Sequence, residues 1–168
     1  MKRCVIITGG TLDLDFAGNF LKNHSFEKVI AVDAGLKQAE ALGVTPDLIV
    51  GDFDTVDPEV LARFRAMEHM MWDVHQPEKD ETDTELALRK AMALGCEEIA
   101  VLGATGGRAD HMMGNVQLLF QCLQKGVFAY LADPQNKIYL LDGEREYQTG
   151  QVWGKYISFL PLTARVYG

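Results

Sequence analysis

Three stretches of the sequence gather the groups that phosphate chemistry uses. Residues 47–55, DLIVGDFDT, end an apolar run on Asp52 and Asp54; residues 79–83, KDETD, add Asp80 and Asp83 beside Lys79. Residues 103–115, GATGGRADHMMGN, crowd glycines around Arg108, Asp110 and His111. In an extended chain, residues two apart share a face, so Asp52 and Asp54 point the same way and Phe53 the other. Two like-facing carboxylates are costly to desolvate without a cation between them. Mg²⁺ suits such a pair, because it takes one or two carboxylates and fills its other positions with water and phosphate oxygens. An Asx turn ahead of a helix start at Asp57–Pro58 accounts for the same acids without a metal, and these residues leave both readings open. Asp83 falls in the first turn of a helix, where an acid offsets the dipole, whereas Asp80 lies outside that helix.

The third stretch joins the carboxyl end of a strand, EEIAVLG, to the amino end of a helix, HMMGNVQLLFQCL. Its loop carries Thr105, Gly106 and Gly107, and glycine lets a backbone approach a phosphate while the helix start offers free N–H groups. Arg108 supplies a planar fork for phosphate oxygens. Asp110 is the expected N-cap of the helix. His111, disfavoured as a cation at a helix start, reads as a neutral hydrogen-bonding group. A second loop, TGG at 8–10, follows the first strand, but the chain has neither GxGxxG nor a Walker Lys-Ser/Thr. His24, His69 and His75 lack ligand spacing, and no Ser-His-Asp or Cys-His arrangement is visible.

These stretches need a scaffold that brings strand ends together. Short apolar runs at 4–8, 28–32, 47–50, 98–103 and 127–132 read as strands, with helical patterns at 13–23, 34–43, 57–68, 82–94 and 111–124 between them. The alternation predicts an α/β fold, a mostly parallel sheet with helices on both faces. Ligands in such sheets bind outside the carboxyl ends of the strands, where every acid cluster here falls. TDTE at 82–85 is a capping box, with Thr82 as N-cap and Gly95 closing the helix. Met67, Met70, Met71 and Trp72 read as core. From about residue 134 the helical period disappears. Segments 136–141, 144–148 and 155–160 read as the start of a smaller all-β sandwich unit, which divides the chain into 1–133 and 134–168. Three or four strands cannot close a sandwich, so the chain reads as a fragment of a longer one.

Composition sets the bounds. The 168 residues, 48% of them hydrophobic, suffice for one cored domain with an appendage. The net charge of −8, with no Lys/Arg block, argues against nucleic acid. An anionic substrate needs a metal ion or a local basic group to offset that field. Three scattered cysteines, Cys4, Cys96 and Cys122, suggest buried thiols in a reducing compartment. The apolar run near the start is too short for a signal peptide or a membrane span. The expectation is a soluble, cytoplasmic protein.

In order and spacing, VDAG (32–35), PDLIVGDFDT (46–55), KDETD (79–83), GGRADHMMGN (106–115) and the tail LPLTARVYG (160–168) resemble the thiamine pyrophosphokinase family. Ala34 stands where the family usually has a second glycine, and Thr55 replaces the usual serine. The resemblance implies transfer of a diphosphate from ATP to the hydroxyl of thiamine, leaving AMP. It implies that Asp52, Asp54 and Asp83 hold Mg²⁺ against the phosphates and that Asp80 assists or takes the hydroxyl proton. Arg108 would stabilise charge on the transferring group, with Asp110 orienting it or binding the metal-triphosphate. Asp33 and Gly35 would line the same cleft, and Asn115 would orient the site. The family completes a β-sandwich that helps bind thiamine and forms a homodimer. Two rival readings are a haloacid-dehalogenase-type phosphatase, whose DxDx(T/V) motif DFDTV (52–56) imitates, and a non-catalytic nucleotide-binding module.

Overall fold

The computed structural model describes residues 1–68, 70–75, 81–148, 150 and 152–162. In chain order the elements are β1 (Arg3–Ile7), α1 (Leu14–Asn23), β2 (Lys28–Val32), α2 (Gly35–Ala41), β3 (Leu48–Gly51) and α3 (Pro58–Arg65). They continue with β4 (Met71–Val74), α4 (Asp83–Ala93), β5 (Glu98–Leu102), α5 (Ala109–Gln124), β6 (Phe128–Ala132) and β7 (Lys137–Tyr139). One seven-stranded sheet runs in the order β4-β3-β2-β1-β5-β6-β7. Every neighbouring pair is parallel except β6 and β7.

The central strands are continuous apolar runs because both of their faces are covered. In β1, Cys4 and Ile6 pack with Ala87, Leu88 and Ala91 of α4 and with Leu119 and Cys122 of α5. Val5 and Ile7 point the opposite way, into a second core with Phe20 of α1, Leu36 of α2 and Phe64 of α3. The chain steps outward from β1 to β4 and then returns to the other side of β1. Parallel crossovers keep one hand, so reversing the direction of travel moves the helices to the opposite face. The turning point opens a crevice at the carboxyl ends of β1 and β5, the place where such sheets bind ligands.

Of the expected capping box at the start of helix α4, the N-cap half forms: the Thr82 side chain accepts the Glu85 N–H at 3.2 Å. Glu85 turns its own carboxylate to Arg89, at 2.7 Å, and to the Gln121 amide of α5, at 3.0 Å. Gly95 follows the helix at φ +78°, a conformation glycine adopts without penalty. Replacing Thr82 by Ala is expected to destabilise the protein by about 1 kcal/mol, with Ser nearly neutral. Urea denaturation of both variants checks this.

Two readings of the sequence are corrected. Residues 71–74 form an edge strand, and the four residues read as core divide: Met67 and Met71 are exposed, whereas Met70 and Trp72 are half-buried against the second core, Trp72 packing edge-on to Phe53 at 5.4 Å. Past Tyr139, the described residues hold no further strand, so 144–148 and 155–160 are irregular there. Strand β7 adds its three residues to the α/β sheet itself, antiparallel to β6. The tail returns across α1, where Trp153 packs edge-on against Phe16 at 5.8 Å and donates its indole N–H to the Asp133 carbonyl at 3.2 Å. Tyr156, Phe159 and Leu160 stand exposed. No described helix is long and apolar enough to cross a membrane.

Candidate active site

A cleft of about 830 Å³ opens at the carboxyl rim of the sheet. It is lined by the loops after β1, β2, β3 and β5 and by the first turns of α4 and α5. Close backbone approach builds its floor. A Cβ on Gly10 would overlap the Gly103 carbonyl oxygen, and one on Gly9 would sit 2.8 Å from the Ala34 side chain. The TGG loop at 8–10 therefore lies against the loops after β2 and β5, and the Gln38 amide pins it by donating to the Gly10 carbonyl at 2.5 Å. Gly35 is buried at the start of α2, where a side chain would strike the Ile7 carbonyl; its neighbours Asp33 and Ala34 line the cleft.

The acids meet on one side. Asp33 takes the left-handed conformation, φ +45°, rare for a residue with a side chain. Its backbone N–H bonds the Val50 carbonyl at 3.0 Å, and its carboxylate accepts the Phe53 N–H at 3.4 Å. Burial, then hydrogen bonding to Asp83 and repulsion from it, push the Asp33 carboxyl up to about 7, against a lowering pull from the Phe53 N–H. The charge of Asp52 raises it further. Asp83, the first residue of α4, also lines the cleft.

The extended geometry expected for Asp52 and Asp54 is not what forms. Strand β3 ends at Gly51, and Phe53 turns at φ +65° to bury its ring. Asp52 Oδ1 accepts the Asp54 N–H at 3.1 Å, an Asx-type turn that leaves Asp52 half-buried and Asp54 exposed. Thr55 lines the cleft, but neither Asp52 nor Asp54 is among the lining residues. Asp80, Lys79 and His69 lie outside the described residues.

On the other side stands the glycine loop. Gly107, at φ +89°, has open space beside its Cα, and Gly106 packs on Thr11. The N-cap position of α5 is Arg108 rather than the expected Asp110, which sits in the first turn. Asp110 instead grips the Arg108 guanidinium with both oxygens, at 3.1 Å from Nε and 2.5 Å from Nη2. The fork pairs with a carboxylate two residues away because planar guanidinium geometry matches it. Both side chains are well exposed, so water screens the pair and the guanidinium can trade partners. His111 faces the cleft. Asn115, one turn further on, donates to the Ala104 carbonyl at 3.0 Å and braces the loop against the helix. Thr105 hydrogen-bonds Asp133 rather than facing the cleft. Sequence reasoning missed Thr11, Thr84, Gln117 and Gln121 in the lining. Uncharged polar residues on a helix face or in a loop carry no signal that separates a cleft from ordinary surface.

Among the described residues, no three His, Cys, Asp or Glu side chains converge in metal-holding geometry. The Asp33–Asp83 pair, with Asp52 close by, supplies oxygen donors of the type and number that Mg²⁺ takes when phosphates and water complete its shell.

Residues 19–131 match the family described as thiamin pyrophosphokinase, catalytic domain. The chain is 34% identical to the thiamine pyrophosphokinase of Bacillus subtilis over 99% of its own length and 77% of that protein's. Its fold is similar to the solved thiamine pyrophosphokinase of B. subtilis, with a TM-score of 0.71 at 32% identity over 82% of this chain and 63% of that one. The solved enzyme of Geobacillus thermodenitrificans gives 0.64 at 31%, over 82% and 61%. The chain thus spans less than two thirds of either solved protein. The family match covers the loops after β2, β3 and β5 and both helix starts that build the cleft, and with the near full-length likeness to the B. subtilis protein it shows that the chain belongs to the thiamine pyrophosphokinase family.

Proposed function

We propose that the cleft binds Mg-ATP and transfers its terminal diphosphate to the hydroxyl of thiamine, releasing AMP. The observation that carries this is the cleft's division into an acid side, Asp33 and Asp83, and a phosphate side, the 106–107 glycines, Arg108 and the start of α5. Transfer of a phosphoryl or diphosphoryl group needs positioning and charge stabilisation more than covalent chemistry.

Asp52, Asp54 and Asp83, joined by Asp33, are the residues that would hold Mg²⁺. A bound Mg²⁺ supplies charge neutralisation along the triphosphate. Arg108 leaves Asp110 for the transferring phosphate and stabilises the charge developing there. The glycine loop admits phosphate oxygens to backbone N–H groups, while Thr105, bonded to Asp133, and Asn115, which lines the cleft and bonds the Ala104 carbonyl, hold the loop in place. Asp80 or one of the cleft acids accepts the thiamine hydroxyl proton. The acidic rim attracts the positive thiazolium ring. Residues 134–168 contribute to thiamine binding and to a homodimer, a reading that the exposed Tyr156, Phe159 and Leu160 support. A cytoplasmic location fits three free, buried thiols.

Incubation with ATP, Mg²⁺ and thiamine tests the proposal. AMP should appear in step with thiamine diphosphate, and chelating the metal should stop both. ADP as coproduct contradicts it. Phosphate released without AMP indicates a phosphatase, and ATP binding without turnover indicates a non-catalytic module.

A further inference from the structure

Gly51 lies at the end of β3 and does not line the cleft, yet the acid side is built on it. A Cβ placed there would lie 2.6 Å from Asp33 Cγ and closer still to Oδ1. The Asp33 carboxylate thus occupies the space a side chain at position 51 would need. Both backbones are held in place. The Asp33 backbone is held by its N–H bond to the Val50 carbonyl at 3.0 Å. The Gly51 carbonyl accepts the His75 N–H at 3.0 Å, and Gly51 pairs with Val74 in the sheet. Gly51 itself has φ +151°, which residues with side chains rarely adopt. From this seat Asp33 meets Asp83 and accepts the Phe53 N–H.

We infer that Gly51 is a positioning residue, whose bare Cα is the surface across which the Asp33 carboxylate reaches Asp83. A methyl group at position 51 would break up the acid pair without touching substrate. This rests on the reading of those acids as the cation side of the cleft.

The test is a double-mutant cycle on the whole chain, with Gly51→Ala made in the wild-type and Asp33→Ala backgrounds. Mn²⁺ binding is read by electron paramagnetic resonance and folding by melting temperature. If the methyl acts by displacing the carboxylate, Gly51→Ala weakens Mn²⁺ binding about tenfold or more in the wild type and less than twofold once Asp33 is gone. Its cost in melting temperature shrinks in the Asp33→Ala background, leaving only the backbone strain. Equal losses in both backgrounds, or unchanged Mn²⁺ binding in the wild-type background, overturn the inference while the cation reading stands. A wild-type chain that binds no Mn²⁺ overturns the cation reading and the inference with it. If Gly51→Ala alone fails to fold, a folded double variant supports competition for one space, and an unfolded one overturns it.

Discussion

Asp83→Ala is expected to lower turnover about 10²–10³-fold at saturating Mg-ATP, the loss typical of removing one preorganised group that stabilises transition-state charge. Asp83 combines three properties that Asp52 and Asp54 do not share. It lines the cleft, it hydrogen-bonds the Asp33 carboxyl, and it is fixed at the first position of a capped helix. The cap belongs to Thr82, so the variant keeps the helix start and folds. Asp83→Asn preserves the size and a hydrogen bond to Asp33 but removes the charge. It should fall nearly as far as Ala if charge is what matters, and remain near wild type if the residue only braces Asp33. Thiamine diphosphate and AMP formed per enzyme per second decide between these, and a normal rate for Asp83→Ala removes Asp83 from the cation side.

Arg108→Ala should cost a similar factor, about 10²–10³ in turnover, by leaving the transferring phosphate without its cationic partner. Arg108→Lys should restore little, because an ammonium presents a point charge where the guanidinium offers a two-pronged fork. Asp110→Ala should cost much less, since the pair it makes with Arg108 is exposed and must open for phosphate to enter. The split between KM and kcat separates positioning from chemistry: Arg108→Ala lowers kcat at saturating ATP, whereas loss of a ground-state contact raises KM alone.

The parallel core was legible because strands covered on both faces must be continuous apolar runs. KVIAV at 28–32 and EIAVL at 98–102 are such runs, and the strands β2 and β5 occupy those residues. The start of α4 was legible because capping is a local bond between Thr82 and the residue three further on. Strand β4 was not legible: MWDV has an acid inside it and half-exposed positions, which is what an edge strand tolerates and a periodicity search discards. The Asp52 turn was one of the two readings open in the sequence, and what the sequence did not show was the burial of Phe53, whose ring packs on Trp72 of a strand it had not revealed. Arg108 took the N-cap position expected of Asp110, whose carboxylate pairs with that guanidinium from the first turn of the helix. The pairing of Asp33 with Asp83 spans 50 residues and depends on Gly51 being bare. No local pattern encodes it, although each residue lies in a motif that drew attention.

β1 is flanked by β2 on one edge and by β5 on the other, with Arg3 beside Glu98 in the register. During synthesis, β1 therefore keeps one edge unpaired by β5 until nearly a hundred further residues have been added, about 5–20 s at ordinary elongation rates. The ligand crevice sits on that late seam, so a nascent chain acquires it only when β5 docks.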